Sequence, residues 1–582
     1  MQATALAAEI VALHNDAAPG HARRFAASGM LHRIAALRYH DAMELVREAV
    51  MVKENMPTGD INGALGTIRS RDIGPRIGWR SKLLTFLAVL GPGLIVMVGD
   101  NDAGAFSTYA QAGQNYGTKL LWTLLLLIPV LYVNQEMVLR LGSVTGVGHA
   151  RLILERFGKF WGAFSVVDLF VLNALTIVTE FVGVSLALTY LGFSQVPGVI
   201  IAAALVMLAA AQGNFRRFER FAMLLCFGSL ILIPVFIAGI GPIAKDVHDT
   251  FVPSLPAGDL STIMLAIIAI VGTTVAPWQL FFQQSYVVDK RITTRFLNYE
   301  RWDLAVGIVF VMLGAFALVI VAATAFSGHK EFGNFQDTAA VAAGISAHIG
   351  HWAGVLFAIG LIDASIIGAA AVSLSTAYAI GDILSIRHSL HGGIAQAPGF
   401  YATYLLLIVA AAALVLIPGT PLGLLTNAVQ VLAGVLLPSA TVFLMLLCND
   451  KSILGPWTNT RRVNAFTGAV IAALITLSII LTASVIFPSL SGVSILWILA
   501  IGFAGALGVG LWMAFVRAGR YYDPAERAAR DSWRMPPLAD LPKNKVTMFS
   551  RFWLVVLRGY LVAAVALVIV RVVQIALHGG AS

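Results

Sequence analysis

Four acidic residues lie inside long apolar stretches, where a carboxylate is costly and is therefore usually functional. They are Asp100, Asp102, Glu180 and Asp363. Asp102 stands where the run GDNDAGA interrupts its stretch, and we expect it to bind a cation. Asp100 either binds the same ion or caps a broken helix, and Glu180 either lines the site or makes a structural hydrogen bond. For Asp363, beside small residues, a hydrogen bond between helices is favoured over a site role.

Two of the apolar stretches are interrupted by helix breakers in matching ways. The first reads GPG, then LIVMV, then GDNDAGA, and the second reads IVGTTVAPWQ from Ile270 to Gln279. Broken helices at corresponding places in two halves indicate a binding site near the membrane midplane of an inverted-repeat transporter. Unwound carbonyls survive at that depth only when they face a cavity or protein. We therefore expect unwinding near Asp102–Ala105 and Thr273–Pro277.

The composition of these interruptions favours a cation over an anion. Neither interruption contains a basic residue, so nothing in them would bind an anion. The available ligands are oxygens of carboxylates, amides, hydroxyls and the main chain. Hard cations such as Mg²⁺, Mn²⁺ and Ca²⁺ prefer oxygen ligands.

The elements that must position these residues are membrane helices. Hydrophobic residues make up 58% of the 582-residue chain and charged residues 12%, against about 25% charged in soluble proteins. This composition excludes a soluble enzyme, a nucleic-acid-binding protein and a disordered scaffold. Apolar runs of about 20 residues can cross a bilayer, and we count thirteen, at 83–112, 118–139, 161–191, 197–213, 221–241, 261–287, 304–327, 351–381, 400–417, 422–448, 464–487, 493–516 and 552–577.

The distribution of Lys and Arg predicts the orientation, because cytoplasmic loops carry the excess. With the N-terminus inside, the loops on the opposite side contain only Lys119, Lys245 and Lys330. This places the protein in the cell (inner) membrane as a multi-pass protein, with the C-terminus on the side opposite the N-terminus. The net charge of +9 is then explained by basic cytoplasmic loops and does not indicate nucleic-acid binding.

The chain divides into a cytoplasmic extension (1–81), a ten-helix core (82–450) and three peripheral helices (451–582) with a cytoplasmic segment at 518–550. Apolar residues at helical spacing between Met30 and Met56 indicate a membrane-surface or partner-binding helix, although a cytosolic cap or partly disordered tail fits equally. We see no secretory signal. The cysteines, Cys226 and Cys448, suggest neither a disulfide framework nor a metal site.

These residues resemble the Nramp family of divalent-metal transporters over about residues 84 to 450. GPGLIVMVGDNDAGAFSTYAQAGQNYG is similar to the family's first helix, whose hallmark is Asp-Pro-Gly-Asn. LRLGSVTG, TEFVGVSLAL, IVGTTVAPWQLFFQQS, LFAIGLIDAS and VQVLAGVLLP follow in order on the expected helices. The resemblance implies an all-α polytopic membrane protein with the LeuT-type fold, a five-plus-five inverted repeat with broken helices 1 and 6 and alternating access. Three extra C-terminal helices would account for spans 11 to 13.

The departures from the family pattern fall on the metal site. Asp102 matches the family's aspartate, but Ala103 replaces the proline and Ala105 the metal-binding asparagine. In the sixth helix, Ala276 replaces a methionine and Trp278 a histidine. Ile177 replaces an aspartate of helix three, although Glu180 is present. Gln135 and Gln430 match glutamines of helices two and ten.

Each departure has a chemical consequence. A thioether favours softer transition metals, so its absence at Ala276 removes that bias and widens the site. Mg²⁺ is usually bound with several waters retained, and a wider, oxygen-only pocket suits it. The pattern is similar to the divergent Nramp-related magnesium transporters, and this resemblance implies transport of Mg²⁺, with Mn²⁺ accepted, without proton coupling. Plant aluminium transporters also lack the methionine but keep more of the first-helix motif.

We therefore expect a divalent ion, with part of its water shell, between the two breaks. Asp102 supplies the dominant charge, and the Thr273 carbonyl approaches directly or through water. The side chains expected to hydrogen-bond coordinated waters are Asp100, Asn101, Thr274, Gln279 and Gln430. Ala105 and Ala276 complete the predicted site. The ion is substrate, and no resident cofactor is expected.

Other classes of protein stay open to different degrees. A membrane enzyme would need a catalytic group at membrane depth, and we find none. His348 and His351 are assigned to an outer loop edge, and His388 and His391 to an inner loop; loop polarity explains them better than metal binding. A proton-coupled Mn²⁺ transporter, a channel and a metal sensor without transport are the alternatives.

Overall fold

The computed structural model describes residues 59–72, 74, 76–239, 241, 243–419, 422–487, 490–516, 530, 533–542, 548 and 550–560. The predicted helix between Met30 and Met56 lies outside them, as does most of the predicted segment 518–550. In the helix Leu422–Cys448, several side chains, including that of Gln430, also lie outside the described part.

The chain begins with a small antiparallel hairpin and continues as helices. Strands β1 (Ile61–Asn62) and β2 (Thr67–Ile68) pair with Ile61 opposite Ile68. The first predicted span is three helices: α1 (Trp79–Val89), α2 (Pro92–Val98) and α3 (Ala103–Tyr116). The next six helices are α4 (Leu121–Thr145), α5 (His149–Phe157), α6 (Lys159–Leu191), α7 (Gln195–Ala211), α8 (Phe215–Gly228) and α9 (Leu232–Ala238).

The second half follows the same pattern. A short helix, α10 (Ile243–Phe251), precedes α11 (Leu260–Thr274) and α12 (Pro277–Asp289), which together form the sixth predicted span. Helices α13 (Leu297–Phe326), α14 (Thr338–His348), α15 (His351–Leu384), α16 (Pro398–Val415) and α17 (Leu422–Cys448) complete the core. After them come α18 (Lys451–Leu454), α19 (Arg461–Ile486) and α20 (Gly492–Val516), and residues 550–560 are also helical.

The membrane prediction is confirmed by helix length and apolar composition. Within the described residues, nine helices are long and apolar enough to cross a membrane, or up to eleven if each bent pair is one span. The fourth predicted span is a shorter apolar helix, Gln195–Ala211. Each of the first twelve predicted spans contains a helix. The thirteenth is described only as far as residue 560.

Glycines allow the broken first span to pack closely against α13. A Cβ at Gly93 would lie 2.6 Å from the Leu304 nitrogen, and one at Gly307 would lie 2.7 Å from the Gly93 carbonyl oxygen. Along α3, a Cβ at Gly113 would overlap the Val319 carbonyl. Small residues permit this backbone contact in membrane helices, where packing rather than hydrophobicity drives association. Helix α13 therefore supports both halves of the first break.

Helices α6 and α15 make the most extensive helix pair. Gly183 on α6 lies against Ala103 and Ser365, so that even a methyl group at Gly183 would meet both at 2.5 Å. The pair brings Glu180 and Gly368 beside the first break. The fold thus surrounds the breaks with α6, α13 and α15.

Candidate functional site

The first break comprises residues 99–102, slightly before the predicted Asp102–Ala105. Asp102 is the N-cap of α3, and its Oδ1 accepts a hydrogen bond of 2.8 Å from the Ala105 amide. The Ala103 amide donates to Oε2 of Glu180 at 3.1 Å. In a continuous helix these two amides would bond the carbonyls of Asn101 and Gly99. By binding these two amides, Asp102 and Glu180 leave the carbonyl oxygens of Asn101 and Gly99 without their helical hydrogen bonds.

Asp102 and Glu180 form a buried acidic pair. Asp102 is 4% exposed and Glu180 is fully buried, and both lie against Gly368 of α15. Glu180 Oε1 has no hydrogen-bond partner in the described part of the chain. Two ionised carboxylates this close in an apolar environment repel each other, and either a proton or a cation relieves that repulsion. A cation at Asp102 would therefore stabilise the pair.

The second break is only two residues long, Val275 and Ala276, where unwinding was predicted over Thr273–Pro277. Pro277 has no N–H to offer the carbonyl of Thr273, its i−4 partner in a continuous helix. The Thr273 hydroxyl is buried and likewise lacks a hydrogen-bond partner among the described residues. Thr273 thus presents two oxygens that its own helix leaves free.

A chain of hydrogen bonds joins the two breaks. The Gln279 amide Nε2 donates to Oδ1 of Asp100 and, at 3.3 Å, to the Thr274 carbonyl. Gln279 Oε1 accepts from Gln135 Nε2 at 2.8 Å. The Thr274 hydroxyl also bonds the Tyr109 hydroxyl, at 2.7 Å. Four helices, α3, α4, α11 and α12, therefore meet at this polar network.

Asp100 is buried, and its second oxygen is without a partner in the residues described. A buried polar atom left unpaired is expensive, so a water or an ion at this oxygen would stabilise the arrangement. The role of Asp100 as a ligand or a cap stays a prediction. The structure shows that Gln279 fixes one side of its carboxylate.

The remaining predicted residues divide between the breaks and their surroundings. The Asn101 side chain donates to the Val311 carbonyl of α13 at 3.0 Å, on a different helix from the network. The alanines Ala105 and Ala276 are buried at the two breaks and offer only methyl groups. Gln430 lies on α17, with its side chain outside the described part.

Trp278 and Ile177 stand where the family pattern has protonatable side chains. Both are buried. The Trp278 ring lies beside the first break, where a Cβ on Gly99 would be 3.7 Å from it. Its carbonyl accepts from the Ser375 hydroxyl at 2.9 Å. Buried side chains without a titratable group therefore occupy both positions.

Asp363 and the loop histidines lie apart from the breaks. The Asp363 carboxylate contacts α8 at Gly228, where a Cβ would be 2.5 Å from Oδ1. His348 stacks on His329 with ring centroids 3.6 Å apart. His388 pairs with Asp382 at 3.0 Å, and His391 bonds the Asp289 carbonyl, also at 3.0 Å. Among the described residues, no group of three or more His, Cys, Asp or Glu is arranged to hold a metal.

A pocket adjoins the second break. It is lined by Ser165, Asp168, Leu169, Leu172, Pro277, Phe281, Ser439, Ala440 and Phe443. Asp168 accepts from the Ser439 hydroxyl at 2.8 Å. The pocket begins at the first residue of α12 and contains a carboxylate that the sequence analysis did not select. The sequence did offer one signal for Asp168, which is its position nine residues into α6 and inside a predicted membrane span.

Sequence reasoning also missed Gly368, which lets the acidic pair form. A Cβ at Gly368 would lie 2.8 Å from both Cδ and Oε2 of Glu180 and 2.9 Å from the Asp102 Cβ. Contacts this short force atoms apart. A glycine on α15 that admits two acids carries no local sequence signal, because the contact joins three distant segments.

We expect Gly368→Ala to weaken ion binding. Overpacking a buried site costs about 1–3 kcal/mol, and about 1.4 kcal/mol corresponds to tenfold in Kd. The Kd for Mn²⁺, measured by calorimetry on purified protein, should rise by roughly that factor. Gly505→Ala on α20, where a Cβ meets nothing within 4 Å, is the control and should leave the Kd unchanged. Equal affinities in the two variants would remove Gly368 from the site.

Comparison with known proteins supports the fold and the family. The sequence profile of the Nramp family, described as natural resistance-associated macrophage protein-like, matches residues 93–484. The divalent metal cation transporter MntH of Ralstonia nicotianae is 31% identical over 413 residues, covering 68% of this chain and 90% of that protein. Its Klebsiella pneumoniae counterpart is 23% identical over 67% of this chain and 93% of its own length.

Among solved structures, the Eremococcus coleocola manganese transporter matches with a TM-score of 0.57 at 20% identity. The match covers 79% of this chain and 99% of that one. At this identity the likeness establishes the fold, which is the LeuT-type fold that the family resemblance implied.

Proposed function

Because the chain belongs to the Nramp family, we propose that it moves divalent metal ions across a membrane by alternating access. As a member of a transporter family it is not an enzyme. The observation that carries the proposal is the meeting of two helix breaks at buried acids, with Gln279 bridging Asp100 and the Thr274 carbonyl. The released oxygens of Thr273, Asn101 and Gly99 are of the kind that hard cations prefer.

The ion we propose is Mg²⁺, with Mn²⁺ also carried. Neither break offers sulfur or imidazole, since Ala276 and Trp278 stand at the positions concerned. Without a soft ligand the site has no chemical preference for later transition metals. A partly hydrated ion would contact Asp102 and reach Thr273 directly or through water, with Asp100, Asn101, Thr274, Gln279 and Gln430 bonding its waters.

We propose transport driven by voltage and concentration. The side chains of Ile177 and Trp278 cannot take up and release a proton, so protons cannot be relayed through these two positions. A second candidate is a proton-coupled Mn²⁺ transporter. Proton coupling is supported by the nearness of the buried acids Asp102 and Glu180, because a proton would relieve their repulsion in the absence of the ion. Transport of a divalent metal agrees with the name of the MntH relatives, divalent metal cation transporters.

The orientation belongs to the same proposal. We place the N-terminus on the cytoplasmic side of the cell (inner) membrane and the C-terminus on the other side. The division into an extension at 1–81, a core at 82–450 and peripheral helices at 451–582 accompanies it. Protease protection of tags at the two ends, in right-side-out and inverted vesicles, tests this assignment.

Ion flux into proteoliposomes separates the two candidates. We expect saturable uptake of Mg²⁺ and Mn²⁺ that rises with an inside-negative potential and is independent of a pH gradient. A dye inside the vesicles should report no acidification during uptake. Acidification that follows the amount of metal would establish the second candidate. Vesicles with Asp102→Asn protein provide the background for both signals.

Non-saturable flux would indicate a channel instead. Binding of Mn²⁺ without any flux would indicate a metal sensor. Ca²⁺ and Na⁺ complete the ion series and define how narrow the selectivity is.

A further inference from the structure

The break between α1 and α2 is held by charged side chains from other helices. The two helices are bent by 52°, and Gly91 between them has a φ of +152°, which side-chain-bearing residues rarely adopt. Lys290 Nζ donates to the carbonyls of Val89 at 2.6 Å and Leu90 at 2.9 Å. These are orphan carbonyls at the end of α1, so a cation satisfies them and complements the helix dipole.

The other side of this break is held by a carboxylate. Asp303 on α13 accepts from the amides of Gly91 at 3.1 Å, Gly93 at 2.7 Å and Leu94 at 3.1 Å. It therefore caps the start of α2, whose own N-cap is a glycine. We call Lys290, Glu219 and Asp303, with Leu90 and Gly91, the joint.

Glu219 on α8 links the joint to the N-terminal hairpin. Its Oε1 pairs with Lys290 Nζ at 2.6 Å, with both side chains fully buried. Its Oε2 accepts from the amide of Ala64, in the hairpin turn. One carboxylate thus binds both the lysine that caps α1 and the hairpin.

The hairpin turn also sits directly on α1. A Cβ at Gly63 would overlap the carbonyl of Ala88, and one at Gly66 would lie 3.0 Å from the Ala88 Cβ. Only glycines permit so close an approach at these two positions. The backbone of the turn therefore covers the last residues of α1.

Further contacts attach this N-terminal segment to the loop between α12 and α13. Arg295 donates to the carbonyls of Asp72 at 2.7 Å and Gly74 at 2.5 Å. Arg291 donates to the Asp60 carbonyl at 3.4 Å. These contacts bind the segment on either side of the hairpin.

Besides these contacts, helix α1 packs against α13 but buries few of its own residues. Of its residues only Thr85, Ala88 and Val89 are buried, while Trp79 and Leu84 are largely exposed. Few buried contacts mark a segment of low local stability. The hairpin, the joint and α13 are the contacts that hold α1 in place.

We propose that residues 61–68 are a latch on α1, which holds this end of the transport core closed and must leave α1 once in each transport cycle. The inference rests on the proposed function, because alternating access requires one end of the core to open. Gly91 provides the hinge, since a helix end that absorbs large dihedral changes serves domain movement. Because Glu219 binds Ala64 and Lys290 together, departure of the hairpin weakens the hold of Lys290 on α1.

A reversible cross-link tests the latch. In Gly66→Cys/Ala88→Cys protein the Cβ atoms would start 3.0 Å apart and need to separate slightly, since disulfides span about 3.5–4.5 Å between Cβ atoms. The chain's own cysteines are both buried. Oxidation with copper phenanthroline should reduce Mn²⁺ uptake in proteoliposomes at least about tenfold, because a closed gate stops the cycle. Reduction with dithiothreitol should restore uptake.

Full uptake by protein whose cross-link is verified by mass spectrometry would overturn the latch. The reduced protein is the internal reference: absence of uptake in reduced and wild-type protein would contradict the proposed transport function instead. The two failures are therefore distinguishable.

A second variant tests the latch without cysteine chemistry. Gly63→Ala should displace the hairpin, whereas Gly74→Ala adds a methyl with no atom closer than 3.9 Å. Hydrogen–deuterium exchange should accelerate in peptides covering 59–68 and α1 for Gly63→Ala only. Exchange equal to wild type in both variants would show that the turn does not hold α1.

Discussion

Transport should be lost when Asp102 is replaced by alanine or asparagine, because either change removes the central negative charge of a buried site. A divalent ion in a low-dielectric cavity needs that charge. Asparagine keeps a side-chain oxygen for the Ala105 amide, so the helix cap survives, while alanine loses a cap worth about 1 kcal/mol. Uptake of Mg²⁺ and Mn²⁺ into proteoliposomes should fall to the level of empty vesicles with both variants.

Asp363→Asn provides the matched control. It removes another membrane-embedded acid, but one that contacts Gly228 of α8 and neither break. This variant should transport at close to the wild-type rate. Thermal unfolding should show that Asp102→Asn is folded. Undiminished uptake by that protein would mean that the ion binds elsewhere.

Ala276→Met should shift ion preference from Mg²⁺ towards Mn²⁺ and softer ions. The residue is the N-cap of α12 at the second break, so a thioether there would face the same space as the freed oxygens. Sulfur selects softer metals, and the longer side chain narrows a pocket that suits a hydrated ion. The ratio of Mn²⁺ to Mg²⁺ uptake, measured in competition, should rise by about tenfold, equivalent to about 1.4 kcal/mol.

Ala269→Met is the control, seven residues earlier on α11 and of similar exposure. It adds the same side chain away from the breaks and should leave the ratio unchanged. An unaltered ion series in Ala276→Met protein, with normal uptake, would exclude missing sulfur and pocket width as the origin of selectivity.

The sequence was sufficient to predict both helix breaks and most of the membrane helices. A helix break has local causes, namely glycine, proline and polar residues inside an apolar run. Pro277, for example, lacks the N–H that a continuous helix needs. The exact extents differ: the first break is residues 99–102 because Asp102 caps α3, and the second is two residues because α11 continues through Thr274.

Contacts between distant segments could not be predicted in this way. The Asp102–Glu180 pair depends on Gly368, more than 180 residues beyond Glu180, and on the packing of α6 against α15. Neither the contact with Gly368 nor the packing of the two helices can be predicted from periodicity or composition. The Asn101 amide bonds Val311 because α13 packs against the first break, which again is a tertiary effect.

Lys290 shows a different limit of sequence reasoning. Basic residues after a membrane span are usually explained by membrane topology. Lys290 was therefore not selected from the sequence, although it is fully buried and caps α1. Glu219 and Asp303 stood just outside the predicted spans and were not selected. The start of α8 at Phe215 places Glu219 inside a helix, where its burial becomes significant.

The most direct test of the central claim is an anomalous difference map from crystals grown with Mn²⁺. We predict one peak between the two breaks, within about 2 Å of an Asp102 oxygen if bound directly, or one water away, and on the side of the Thr273 carbonyl. A peak in the Asp168 pocket, or none near Asp102 in protein that transports Mn²⁺, would contradict the account.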